Sequence, residues 1–234
     1  VLMYHSVKAE EVKKFSRQMD LLKKYTDVVG AGFSGAEALP ARRYVALTFD
    51  DGFESFELNV LPVLREKRIP ATVFIVTRYI GQSAGWIADP GRRLANGRTL
   101  SEEQLRAMLK DHITDIGSHS VSHAALDSSV LSEDEIRFEL EASRRYLEEK
   151  FGRPIALFAL PYGVYDDRVL QFAKEAGYDR VFLSVPLGSL PNINGHVAGR
   201  LDASPNDSLY SYWLKVRGAY QFLPLTIATK ARLH

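Results

Sequence analysis

Cysteine is absent from this 234-residue chain. That excludes disulfides, thiolate catalysis and cysteine-bound zinc, and it leaves histidine and carboxylate as the ligands for any metal. It fixes no compartment. Charge imbalance is absent too. Lys and Arg total 30 against 29 Asp and Glu, a net charge of +1, so no global field draws the chain to nucleic acid or to a membrane. No apolar run reaches the roughly 18–20 residues that a membrane span needs. No secretory leader is visible, and the chain opens directly on the strand-like Val1-Leu2-Met3-Tyr4. A cytoplasmic location is favoured on that ground, with an extracytoplasmic one kept open should residues precede Val1. Internal repeats and low-complexity segments are also missing.

What is present fits one large α/β domain. Apolar strand-like runs at 1–4, 44–49, 71–76, 115–118, 155–160, 180–184 and 196–201 alternate with helical patterns. The spacing of Val12, Phe15, Met19 and Leu22 predicts a helix over 11–25. Residues 53–65 read as a helix kinked at Pro62, and Ser101 as the N-cap of a helix to Lys110. Ser132 with Glu135 forms a capping box for a long helix whose buried face carries Ile136, Leu140, Ser143 and Leu147. Gly177 closes a helix over 167–176. Such alternation predicts a parallel sheet covered by helices, with polar side chains gathered where the strands end. The glycine-rich segment 79–99 is expected to lie over that end. The division expected is a barrel over 1–207 and a tail over 208–234. The tail lacks Asp and Glu and carries Lys215, Arg217, Lys230 and Arg232 among aromatic residues. It is read as a helix packing on the barrel, with an extended end that pairs with another subunit; an anionic membrane surface is the less favoured alternative.

Two motifs carry chemistry. Thr48-Phe49-Asp50-Asp51-Gly52 places adjacent carboxylates at the end of an apolar run, and Ser118-His119-Ser120-Val121-Ser122-His123 places two histidines four apart after another. Asp-Asp-Gly alone reads as a turn, and a lone histidine as a satisfied core or surface residue. Taken together they offer an oxygen ligand, two imidazoles that converge if the backbone between them makes one turn, and a spare carboxylate. That is the inventory of a catalytic metal site with an open position and a base beside it.

With these blocks and Phe158-Ala159-Leu160-Pro161-Tyr162-Gly163, the chain resembles the polysaccharide deacetylases of carbohydrate esterase family 4, the NodB-homology domain, from about Leu2 to about Arg200. The resemblance implies a distorted (β/α) barrel of about seven strands and hydrolysis of the N-acetyl group of a polysaccharide, oligosaccharide or lipid-linked glycan, releasing acetate. It implies Asp50 as general base, and Asp51, His119 and His123 as ligands of one divalent ion, zinc first, with cobalt, nickel or manganese as alternatives. Pro161 and Tyr162 would line the groove, with the Tyr162 backbone N–H helping to hold the oxyanion. Trp86, in the long loop, is assigned as a sugar-stacking wall.

Three departures from the family pattern stand out. Ala159 occupies the place of an arginine that orients the base, and the usual fourth and fifth motifs are not evident. A circularly permuted subgroup, resembling deacetylases of poly-N-acetylglucosamine, carries its acid histidine on the first strand in a Tyr-His context and tolerates loss of that arginine. Leu2-Met3-Tyr4-His5-Ser6 fits it, which assigns His5 as general acid, with His196 as the fallback. Arg200 and Asp202 are read as a structural ion pair near the site. Two alternatives remain at this level: the same fold acting on another C–N bond or a sugar O-acetyl ester, and a non-catalytic glycan-binding relic. The retained Asp50 argues against the relic, because binding alone needs no base.

Overall fold

Apolar runs and helical stripes assemble into one curled parallel sheet wrapped by helices. The structure, a computed structural model, describes residues 1–35, 38–39, 41–89, 91, 94, 97–186 and 195–222, with only the backbone for 221 and 222. The strands are β1 (Leu2–Tyr4), β2 (Asp27–Val29), β3 (Tyr44–Phe49), β4 (Ala71–Ile75), β5 (Thr114–Ser118), β6 (Leu157–Ala159), β7 (Arg180–Phe182), β8 (Val197–Ala198) and β9 (Leu201–Asp202). The helices are α1 (Val12–Tyr25), α2 (Leu61–Lys67), α3 (Glu102–Met108), α4 (Glu133–Phe151), α5 (Asp167–Glu175) and α6 (Leu209–Val216). Every strand pair is parallel, in the order β8-β7-β6-β5-β4-β3-β1-β9, with β2 paired to the first half of β3. All five residues of β4 are buried, as expected of a strand covered on both faces.

The two edges of this sheet are consecutive in sequence. β8 pairs with β7 and β9 pairs with β1, and only Gly199-Arg200 separates them. One short segment therefore joins the two edge strands of the curled sheet. Leu201 N–H donates to Val1 O at 2.9 Å on one side, and Arg200 N–H to Val185 O at 3.0 Å on the other.

A small apolar cluster of Ala46, Phe74, Leu157, Ala159 and Phe182 forms separately from the main core. The rings of Phe74 and Phe182 lie 5.3 Å apart. Gly117 makes room for them: a Cβ there would overlap the Phe74 ring and lie 2.8 Å from the Leu157 carbonyl oxygen. The main core is contributed by strands and helices together, including Phe15, Met19 and Leu22 of α1 and Ile136, Leu140 and Leu147 of α4.

Several boundaries differ from expectation. β2 is three half-buried residues, too short to leave a pattern. The helix expected over 53–65 is a π-helical turn over Phe56–Val60 followed by α2. Pro62 falls in the first turn of α2, where its missing N–H costs nothing. The wider turn before it takes the place of the expected kink. The last strand expected over 196–201 splits into β8 and β9. Of the tail expected over 208–234, residues 223–234 lie outside the described residues; α6 places Tyr212 and Val216 in the main core. No helix among the described residues is long and apolar enough to cross a membrane.

Candidate metal centre and active site

The C-terminal strand ends deliver the polar residues to one side. Asp50 and Asp51 follow β3, His119 follows β5, Leu160-Pro161-Tyr162 follows β6, and His5 follows β1. Asp51, His119 and His123 are all buried, and one ligand atom from each lies within 4.8 Å of the others. His123 Nε2 is 3.2 Å and His119 Nε2 3.6 Å from Asp51 Oδ1. That oxygen is buried without a hydrogen-bond partner among the described residues. A buried carboxylate oxygen left bare beside two imidazole nitrogens fits a divalent cation, and the donor set suits zinc and its neighbours.

The His119 imidazole contacts the Ala159 carbonyl at 2.7 Å through Nδ1. With Nδ1 as the donor, the Nε2 lone pair is left facing Asp51. Burial pulls the His119 pKa down to about 4, more than the neighbouring carboxylates raise it, so the ring is neutral and able to ligate at neutral pH.

Asp50 is 2 % exposed and Arg200 1 %, and the two are locked together. Arg200 Nη1 donates to Asp50 Oδ1 at 2.6 Å and Nη2 to Asp50 Oδ2 at 2.7 Å. Arg200 Nε donates to Leu183 O at 2.9 Å, and the guanidinium lies 5.5 Å from the Phe74 ring centre. Burial acts to raise the Asp50 pKa, but the charge of Arg200, then His119, and the Arg200 hydrogen bonds outweigh it and hold the group at about 2. The expected Arg200–Asp202 ion pair is thus corrected: Arg200 turns inward at the seam and meets Asp50. Ala159 leaves no guanidinium at its own position, and the one that meets Asp50 comes from the seam. Sequence reasoning missed this pairing because the partners are 150 residues apart. The available signal was a lone arginine in the apolar run Val197-Ala198-Gly199-Arg200-Leu201, where a buried charge demands a partner.

A cavity of about 850 Å³ opens over these groups, lined among others by His5, Asp50, Trp86, His123 and Tyr162. Pro161 is buried and is not one of the lining residues. Trp86 lines the cavity with its ring stacked on His123, 5.1 Å between centres, and is flanked by Tyr79. The Tyr162 ring meets His123 edge-on at 4.5 Å. Trp86, expected as a sugar-stacking wall, thus borders the candidate metal ligands. His196 precedes β8 at the opposite end of the sheet, where its Nδ1 contacts the Asp179 carbonyl at 3.0 Å.

Comparison with known proteins agrees with this architecture. Residues 38–181 match the family model described as polysaccharide deacetylase. Over 218 residues the chain is 24% identical to YxkH of Bacillus subtilis (strain 168), covering 89% of this chain and 72% of that protein. Over 180 residues it is 27% identical to the poly-beta-1,6-N-acetyl-D-glucosamine N-deacetylase of Staphylococcus aureus (strain MRSA252), covering 74% of this chain and 58% of that protein. The chain thus spans little more than half of the staphylococcal enzyme. The solved structure of IcaB from Ammonifex degensii superposes with a TM-score of 0.72 at 24% identity, covering 94% of this chain and 95% of that one, a likeness of fold.

Proposed function

The chain belongs to the polysaccharide deacetylase family, and on that premise we propose that it removes the acetyl group from an N-acetylated glucosamine residue of a glycan, using a divalent ion held by Asp51, His119 and His123. The observation that carries this reading is the convergence of those three ligands beside an ionised carboxylate, Asp50, in one cavity. When bound, the ion supplies Lewis acidity, polarising the acetyl carbonyl and acidifying water. Asp50 accepts the proton of the attacking water. Arg200 fixes the direction of the Asp50 oxygens and keeps them ionised, trading basicity for orientation. The Tyr162 backbone N–H is assigned to the developing oxyanion. His5, on the cavity wall, donates a proton to the departing nitrogen, because an amide anion is too poor a leaving group. Polymers of N-acetylglucosamine are the first substrates to test, given the named activity of the staphylococcal relative.

The test is acetate release from N-acetylglucosamine oligomers by zinc- or cobalt-loaded protein. Release is expected to stop on chelation and to return with the ion. Asp50→Asn is expected to abolish it, and His5→Ala to lower turnover by about 10²–10⁴-fold with the ion retained. Ion-loaded protein that releases no acetate from any N-acetylated oligosaccharide defeats the proposal.

A further inference from the structure

The two imidazoles of the metal centre are supported differently. Ligand histidines almost always tie their second ring nitrogen to a carboxylate, carbonyl or water, which fixes the ring and strengthens the ligand. His119 does so through Ala159 O. For His123 Nδ1, which is buried, no protein hydrogen-bond partner occurs among the described residues, and rings of Trp86 and Tyr162 flank the imidazole. The aim of His123 then depends on these rings and on the backbone turn that carries it.

That backbone is unusual. Ser120 has φ +68° and His123 φ +63°, both in the left-handed region that non-glycine residues hold only when the surroundings impose it. The imposing group comes from α4. Glu139, 7 % exposed, accepts from Val121 N–H at 2.8 Å, Ser122 N–H at 2.9 Å and the Ser122 hydroxyl at 2.6 Å. Ser143, one turn along the same helix, contacts the Ser118 hydroxyl at 2.7 Å. Neighbouring bonds also hold the loop: Arg78 N–H to Val121 O at 2.9 Å and His123 N–H to Ser120 Oγ at 3.0 Å. Glu139 alone binds the two central amides from below. A glutamate on the apolar stripe of a helix, three residues after Ile136 and one before Leu140, has no reason to be buried unless it is needed there.

We propose that Glu139 is the positioning residue of the metal centre: its carboxylate holds the 119–123 turn in the conformation that aims His123 at the ion. The inference rests on Asp51, His119 and His123 being the ion ligands. It requires reach and acceptor geometry, not charge. Gln at 139 keeps both, since its amide oxygen accepts from the two N–H groups and its NH₂ donates to Ser122 Oγ. Asp keeps the charge but falls one methylene short.

The test is Co²⁺ titration of the apo protein, read by calorimetry and by the visible absorption of the bound ion, for wild type, Glu139→Gln and Glu139→Asp. Asp at 139 is expected to weaken binding by about 10–100-fold and to alter the absorption spectrum, while Gln stays near wild type in both. Apo melting temperatures are measured alongside, because a merely structural role lowers them and leaves the affinity of folded protein unchanged. Unchanged affinity in Glu139→Asp overturns the proposal. So does a Gln variant that binds as poorly as the Asp variant. Wild-type protein that binds no Co²⁺ defeats the ligand assignment itself, a separate failure that takes this inference with it.

Discussion

Four side chains around the cavity sit on backbone that L-residues seldom adopt: Asp51 at φ +72°, Ser120 at +68°, His123 at +63° and Tyr162 at +57°. Each such residue costs on the order of 1–3 kcal/mol, so the surrounding contacts must over-determine them. At Asp51 the turn continues into Gly52 at φ +67°, so Asp-Asp-Gly forms the turn its sequence suggests while both of its carboxylates line the cavity. The Asp50–Arg200 pair is the largest electrostatic commitment at this scale. Arg200→Ala strands a buried carboxylate and is expected to destabilise the fold by about 3–5 kcal/mol. Asp50→Asn combined with Arg200→Met removes both charges and is expected to recover most of that loss while remaining inactive. Urea denaturation of the two variants measures the difference, and equal losses in both reject the pair as the cause.

Elements with strong periodicity or capping were legible in the sequence. α1 and α3 start and stop near their expected residues, α4 starts after its expected cap, and the N-cap at Ser101 and the capping box at Ser132 form. The strand ends that carry Asp50, Asp51 and His119 were legible as well, because apolar runs stop at residues that no core accepts unpaired. Arg200 and Glu139 were not, since each acts on a partner that only tertiary structure brings near. β2, β8 and β9 are too short for a pattern to register, and the π-helical turn before Pro62 has no period to detect. The packing between β4, β5 and β7 makes a prediction at this level. Gly117→Ala would drive a methyl group into Phe74 and the β6 backbone, at a cost of roughly 1–3 kcal/mol. Because Phe74 supports the Arg200 guanidinium, turnover is expected to fall along with the melting temperature. A variant that melts and turns over like wild type contradicts this packing.

Across the molecule, buried phenols set an alkaline limit. Burial raises the pKa of Tyr4, Tyr178 and Tyr212, and raises Tyr146 to about 12, aided by Glu102. In the unfolded chain these groups titrate near pH 10. Below that pH both states keep the proton and stability is unaffected. Above it the unfolded state sheds protons that the folded state retains, so stability falls by about 1.4 kcal/mol per pH unit for each such group. Urea midpoints are expected to be flat from pH 8 to 9.5 and to drop steeply by pH 11, with Tyr4→Phe easing the slope; a level profile to pH 11 would show that these phenols ionise freely in the fold. The seam has a consequence of another kind, for vectorial synthesis. Asp50 leaves the ribosome early and its counter-charge arrives 150 residues later. A nascent chain that has already laid down β3, both histidines and the turn at Tyr162 still carries an uncompensated carboxylate at its centre. Only translation past Gly199 supplies the guanidinium that neutralises it.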